Sequence, residues 1–296
     1  AAGVEAAGLT PEPGQSTTPP GQPRPPAEVA ARFAAQVDAD MDAAIRGYEA
    51  LPETRGGKIV NTDEARELSP DYAESKDSRS RYAPAVHETA SKVAKEQLRR
   101  LLATPPNTGK VLVLGGGGGS GKTSSLETIR PGYEDSFDVI YDTTLSKFDG
   151  AVATVEQALS TGRSVEIVFT ARDPFESIQN GIIPRAARSG RTVPLDVAIK
   201  AHEDAPAVLL RLMEKYADDR RVRILIADNT RGPGQSRLAD GIPQFNYTGL
   251  VERASTAARQ AYEAGQISQA AYAALVGKSE SEVAAGYASG QSRPAD

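Results

Sequence analysis

Val111-Leu112-Val113-Leu114 runs directly into Gly115-Gly116-Gly117-Gly118-Gly119-Ser120-Gly121-Lys122-Thr123-Ser124, and this junction decides how the rest of the chain is read. An apolar strand, a glycine-rich turn and a helix-forming stretch from Ser124 to Ile129 make a complete phosphate-binding loop. Glycines let consecutive backbone N–H groups curl around the α- and β-phosphates, where a Cβ would obstruct them. Lys122 has the reach to touch the β- and γ-phosphates, and the Thr123 hydroxyl can ligate Mg²⁺. A helix starting near Lys122 adds the partial positive charge of its N-terminus. Gly116, Gly117, Gly118, Gly119, Ser120, Gly121, Lys122, Thr123 and Ser124 are therefore the expected ATP-binding residues, with ATP and Mg²⁺ as cofactors. A flexible glycine linker is the bland alternative, and the strand before it and helix after it argue against that.

Working outward, apolar runs and helical stretches alternate. Expected strands are Lys110 to Leu114, Phe137 to Asp142, Ser164 to Thr170 and Val222 to Asp228. Between them lie helices at Ser124 to Ile129 and Gly150 to Ser160, and a long helical stretch to Tyr216 broken at Pro184 and Gly190. Strands separated by helices pair in parallel through right-handed crossovers. The expected fold class is α/β, a P-loop kinase-like three-layer sandwich with a mostly parallel sheet and helical additions at both ends. Ligands then sit beyond the carboxyl ends of the strands.

The flanks divide by composition. Residues 1–26 are rich in Pro, Gly, Ala, Ser and Thr and read as a disordered linker. Residues 27–106 read as a helical region on the substrate side, with helices at Ala27 to Leu51 and Pro84 to Leu102. The kinase core is expected over 107–249. Residues 250–296 read as two or three helices with a frayed tail, packing through Tyr262, Ile267, Tyr272 and Leu275.

Composition narrows the function. A net charge of −5 over 296 residues disfavours a broad nucleic-acid footprint. The absence of cysteine removes disulfides and thiolate metal sites, and fits a reducing compartment. No run is apolar enough to span a bilayer and no signal peptide is visible, so a cytoplasmic site of action is expected, in the producing cell or in a target cell. The chain begins with Ala1 rather than methionine, which points to a trimmed or excised piece of something longer.

Three features carry chemistry. Asp142 closes the second strand, where a carboxylate can take the proton of a hydroxyl attacking the γ-phosphate. Asp228 closes the fourth and is a second metal candidate with Thr123, although Asp228-Asn229 also reads as ordinary turn chemistry. Arg185, Arg188 and Arg191 form a basic segment between helices, a mobile lid whose guanidinium groups can clamp phosphate oxygens. Arg172, just after the third strand, points to the same rim. The catalytic set is thus Asp142, Lys122, Arg185, Arg188 and Arg191. His87 reads as a packing or surface residue, His202 follows the arginine segment and could approach the site although a packing or surface role is the commoner one, and no cluster has metal-ligand spacing.

From about Lys110 to Asn229 the chain resembles the zeta-toxin family of phosphate-loop kinases. The resemblance rests on Gly116 to Ser124, on strand-end Asp142 and on the arginines from Arg185 to Arg191. Zeta toxins phosphorylate a UDP-linked amino sugar, and a similar plant-pathogen effector phosphorylates NAD on its adenosine ribose. The resemblance implies an ATP- and Mg²⁺-dependent phosphotransferase, a toxin or effector module with a nucleotide-like small-molecule acceptor and an antitoxin or chaperone partner. In zeta toxins an Asp-x-x-Arg signature follows the loop, whereas here Asp63-Glu64-Ala65-Arg66 precedes it. Asp63 and Arg66 are therefore expected to face the acceptor, with Thr143 and Arg172 as the other substrate-binding residues. The alternatives are a P-loop ATPase or nucleotide-binding module of a larger mobile-element protein, and a polynucleotide 5′-hydroxyl kinase.

Overall fold

The computed structural model describes residues 23–288. Of the linker expected over 1–26, residues 1–22 lie outside this range, as do 289–296 of the tail. In chain order the helices are α1 (Pro26–Ala39), α2 (Met41–Glu49), α3 (Thr62–Ala65), α4 (Pro70–Ala73), α5 (Lys76–Ala103), α6 (Lys122–Ile129) and α7 (Phe148–Ser160). They continue as α8 (Pro174–Ser177), α9 (Ile183–Ser189), α10 (Leu195–Lys215), α11 (Leu250–Glu263), α12 (Gln269–Val276) and α13 (Glu280–Ala288). The strands are β1 (Ile59–Val60), β2 (Lys110–Gly115), β3 (Val139–Asp142), β4 (Ser164–Ala171), β5 (Val222–Asp228) and β6 (Arg237–Ala239).

The sheet order is β1-β3-β2-β4-β5-β6, parallel throughout except for β6, which runs antiparallel to β5. Alternate residues of β2 serve opposite faces. Val111 and Val113 share a cluster with α5, α7 and α10, while Leu112 and Leu114 share one with Leu126 of α6. Helices on both faces of a mostly parallel sheet make the three-layer α/β sandwich expected from the alternation. The strands end together, so the residues after β1, β2, β3, β4 and β5 share one rim.

Two helix expectations are corrected. The single helix over Ala27 to Leu51 is two, because the Asp40 carboxylate caps α2 by accepting from the Ala43 N–H at 2.8 Å. The helix expected from Pro84 begins at Lys76, with Ser75 as its cap, and Pro84 lies inside it. Its apolar face (Tyr82, Val86, Ala90, Val93) packs on α1, α2 and α4, and tertiary burial offsets the lost N–H. The strand-like entry at Ile59-Val60 is the two-residue β1, whereas the three-residue β6 was not foreseen. The C-terminal packing residues lie as expected: Ile267 and Leu275 are buried, and Tyr262 and Tyr272, partly buried, pack against the same cluster and stack at 5.0 Å between centroids.

Two fastenings position the rim. The Tyr48 hydroxyl donates to Ile59 O at 2.8 Å and accepts from Asn61 N–H at 2.8 Å, pinning the short β1 and the turn after it. Arg163, 2% exposed, donates to Leu102 O at 2.7 Å and Thr104 O at 2.5 Å, closing the carboxyl end of α5.

Candidate functional site

The phosphate loop leaves β2 and enters α6. Gly116 and Gly121 hold φ of +133° and +82°, which L side chains rarely adopt, so the loop depends on glycine there. Lys122, first residue of α6, turns its ammonium back across the loop. Its Nζ lies 3.2 Å from Gly116 O and 3.3 Å from Asp142 Oδ1. Asp142 ends β3, which pairs with β2 so that Leu114 faces Asp142, and this register delivers the carboxylate to the lysine. Its other oxygen accepts from Asn61 Nδ2 at 2.8 Å. Burial pushes the Asp142 carboxyl above the usual aspartate range; Lys122 opposes this and nearby Asp63 adds to it.

The residues after β1 form a second cluster. Asn61 Oδ1 caps α3 by accepting from Asp63 N–H at 2.7 Å. Asp63 then pairs with Arg66 at 3.2 Å and with Arg185 of α9 at 3.3 Å. Burial works against the Asp63 charge, but Arg66, Arg185, Arg191 and Lys122 outweigh it and hold the carboxyl at about 2. Arg66 also donates to His87 Nδ1 at 2.8 Å, which fixes His87 with its proton on Nε2. Burial first, and Arg66 second, lower the His87 pKa. Arg191 grips Glu64 at 2.6 and 2.7 Å and Glu67 at 2.9 Å, and Arg79 holds Glu67 from the other side at 3.0 Å.

These contacts change the reading of the arginine segment. A free lid was expected; instead α9 is tied to the N-terminal helices. Ser80 Oγ donates to Gly190 O at 2.8 Å, Lys76 Nζ to Ala187 O at 3.2 Å, and Arg191 bridges two carboxylates. Arg185 reaches the rim through Asp63, Arg191 is fully engaged by Glu64 and Glu67, and Arg188 is exposed with no ion pair among the described residues.

The structure thus brings together Lys122, Asp142, Asp63, Arg66 and Arg185. Thr123 and Ser124 sit exposed in the first turn of α6, whereas the Ser120 side chain is buried beneath the loop, so Ser120 can offer a phosphate only its backbone. Thr143 lies next to Asp142 and donates its N–H to Leu114 O at 3.0 Å. Two expected residues go elsewhere. Arg172 donates to Gly119 O at 3.1 Å and so holds the loop rather than the α3 side. Asp228 accepts from the Thr230 N–H and hydroxyl at 3.0 and 2.6 Å and pairs with Arg237 of β6 at 3.2 Å, the turn arrangement, and no contact joins it to Thr123.

Several loop-holding residues escaped sequence reasoning. Asn229 Nδ2 donates to Ser120 O at 2.8 Å, while its Oδ1 accepts from Ser236. His202 Nε2 lies 3.0 Å from Gly118 O. Ile182 and Val193 side chains cover Gly118, and Gly181 meets Gly119 backbone to backbone. Asn61 and Asn229 had one signal, an amide directly after a strand. The cradle fits a triphosphate: its tightest turns are made by glycine, one ammonium crosses its mouth, and the Thr123 hydroxyl at the helix start faces solvent.

The Zeta toxin family model matches residues 126–232, a span that begins just after the phosphate loop. Among curated proteins none matches the chain. Among solved structures, the native AvrRxo1-ORF1:-ORF2 complex shares 16% identity over 88% of this chain and 85% of that one, with a TM-score of 0.44. The same pair with sulphate ions gives 16% identity, 86% and 75% coverage and a TM-score of 0.43. A structure of the PezAT chromosomal toxin–antitoxin system of Streptococcus pneumoniae gives 12% identity, 79% and 96% coverage and a TM-score of 0.38. Residues 126–232 of this chain match the Zeta toxin family model, and the resemblance to that family drawn from the sequence is borne out.

Proposed function

We propose that this chain is a phosphotransferase that moves the γ-phosphoryl group of ATP to a hydroxyl of a nucleotide-like small molecule, a UDP-linked amino sugar or NAD, and that it serves as a toxin or effector. One observation carries the reading: the Lys122 ammonium lies between the loop carbonyl of Gly116 and the carboxylate of Asp142. The acceptor oxygen forms a bond to the γ-phosphorus as the bridging oxygen of ADP departs, and the acceptor's proton passes to Asp142. A carboxyl raised above its ordinary range by burial suits that task, since its proton affinity lies nearer that needed at neutral pH. Asn61 orients the carboxylate, and Lys122 offsets charge gathering on the transferring oxygens. Mg²⁺, when bound, would be held by the Thr123 hydroxyl and would neutralise charge between the β- and γ-phosphates.

Asp63, Arg66 and Thr143 serve the acceptor in this reading, with Arg185 between acceptor and phosphates. The division of labour follows: residues 27–106 on the acceptor side, 107–249 as the kinase core, 250–288 as a helical buttress. A toxin of this kind requires neutralisation in the cell that makes it, so an antitoxin or chaperone partner belongs to the proposal. The test is ADP formation from Mg-ATP with UDP-linked amino sugars, NAD, nucleosides and 5′-hydroxyl oligonucleotides, with products weighed by mass spectrometry. One acceptor gaining one phosphate, with loss in Lys122→Ala and Asp142→Asn, is the expected result. ADP release indifferent to every acceptor and surviving Asp142→Asn would replace the kinase with an ATPase module.

A further inference from the structure

His202 is buried, 6% exposed, and has no part in the chemistry above. It lies on the inward face of α10, between Ala198, Ile199 and Ala205. Its ring lies flat against the phosphate loop: a Cβ placed on Gly117 would overlap three atoms of the imidazole. Its Nε2 stands 3.0 Å from the carbonyl oxygen of Gly118. A carbonyl only accepts, so Nε2 carries the proton.

The backbone beneath this ring is also specified. Pro206 lies four residues on, inside α10, and has no N–H to give to the carbonyl of His202. That carbonyl instead accepts from the Tyr247 hydroxyl at 2.9 Å. Tyr247, His202 and Gly118 therefore form a chain of two hydrogen bonds from the segment before α11 to the crown of the loop. The same three elements, with Phe169 to Arg172 at the end of β4, enclose a small cavity beside the ring, lined also by Phe245. The charged groups facing His202 are Lys122 from α6 and Arg172 and Asp173 from the end of β4.

We propose that His202 is a positioning residue for phosphate binding: as a neutral imidazole anchored by Tyr247, it sets the Gly117–Gly118 segment so that the loop's N–H groups face the phosphates. This rests on the nucleotide-binding reading of the loop. Burial favours the neutral ring, and Lys122 and Arg172 add to that preference, so the hydrogen bond is not tied to a titration near neutral pH.

The test measures binding of ADP and a non-hydrolysable ATP analogue by calorimetry, alongside turnover, for His202→Phe, His202→Gln and Tyr247→Phe, with melting curves for each. His202→Phe keeps a ring over Gly117 and loses the donor. We expect it to weaken nucleotide binding about tenfold or more, as loss of loop geometry does. His202→Gln, which restores an N–H donor, should recover most of that, and Tyr247→Phe should show a smaller loss of the same kind. From the loop side, Gly117→Ala should cost more in the wild-type background than in His202→Ala, because the overlap disappears with the ring. His202→Phe with unchanged affinity and turnover, or His202→Gln no better than His202→Phe, would overturn the inference while leaving nucleotide binding intact. A wild-type chain that binds neither nucleotide would overturn the proposed function and this inference together.

Discussion

The two flanks of the phosphate loop are built on different physics. On the α3 and α9 side two neighbouring sets of ion pairs lie together, Asp63 with Arg66 and Arg185, and Glu64 and Glu67 with Arg191 and Arg79. On the α10 and β5 side the loop is held mostly by neutral contacts, from His202, Asn229, the Ile182 and Val193 side chains and the Gly181 backbone, with the Arg172 guanidinium adding a charged donor to Gly119 O. Charge acts over distance and tolerates rearrangement when a charged ligand arrives. Close packing has no such latitude. In the proposed reading, the comparison teaches that phosphate geometry is fixed by shape while the acceptor side is left adjustable.

The largest expected effects fall where the flanks meet. Lys122→Ala and Asp142→Asn should each lower turnover roughly 10²–10⁴-fold with little change in melting, measured by ADP release. Asp142 also sets a pH limb. Its carboxyl is raised and, in the proposed reading, is the base, so the rate should rise with pH through a value above the ordinary aspartate range. That limb should vanish from the residual rate of Asp142→Asn.

Next comes the charged flank. Arg191→Ala leaves the Glu64 carboxylate, 11% exposed, without its ion pair while Arg79 still holds Glu67, and should cost on the order of 3 kcal/mol in urea unfolding. An unchanged midpoint would break the contrast, because the ion pairs would then be ornamental. Its pH signature has a definite sign. Asp63 sits at about 2, below its ordinary value, so its contribution is present above the unfolded-chain value and disappears as pH falls toward 2. Asp63→Asn should flatten that acid loss.

Gly181→Ala probes the packed flank, since a Cβ there would lie 2.7 Å from Gly119 O and 2.8 Å from its Cα. A stability loss of about 1–3 kcal/mol with weakened nucleotide binding is expected, whereas high salt should leave this flank indifferent and loosen the other. Smallest of all, Arg188→Ala should change stability by less than about 0.5 kcal/mol, because Arg188 is exposed and unpaired; its turnover loss should be smaller than that of Arg185→Ala.

The same contrast explains what the sequence disclosed. The loop and Asp142 were legible because their signals are local: a glycine run after an apolar strand, an acid where the strand stops. Asp63 and Arg66 were placed by comparison with a motif, and both reach the rim. The packed flank was invisible. His202 and Gly118 are 84 residues apart, and Asn229 and Ser120 are 109 apart, with no period linking either pair. Two-residue β1 had only the apolar pair Ile59-Val60 as its local signal, and its place at the sheet edge comes from pairing with β3 and from the Tyr48 hydroxyl. Asp228 stayed open between metal ligand and turn residue, because the two look identical until Thr230 and Arg237 are seen on its oxygens.

Helix α5 has one further consequence. Its outer side carries α1 and α4, yet α12 lies against it too, and Arg81 near its start pairs with Glu280, 199 residues downstream. A contact closing so long a loop forms late, since its entropy must be met before it contributes. During synthesis α5 emerges early and stays partly bare until Glu280 has left the ribosome. A nascent chain therefore cannot complete its helical buttress before translation of this region is nearly done, which leaves an interval in which a binding partner could engage α5 before the protein is able to close over it.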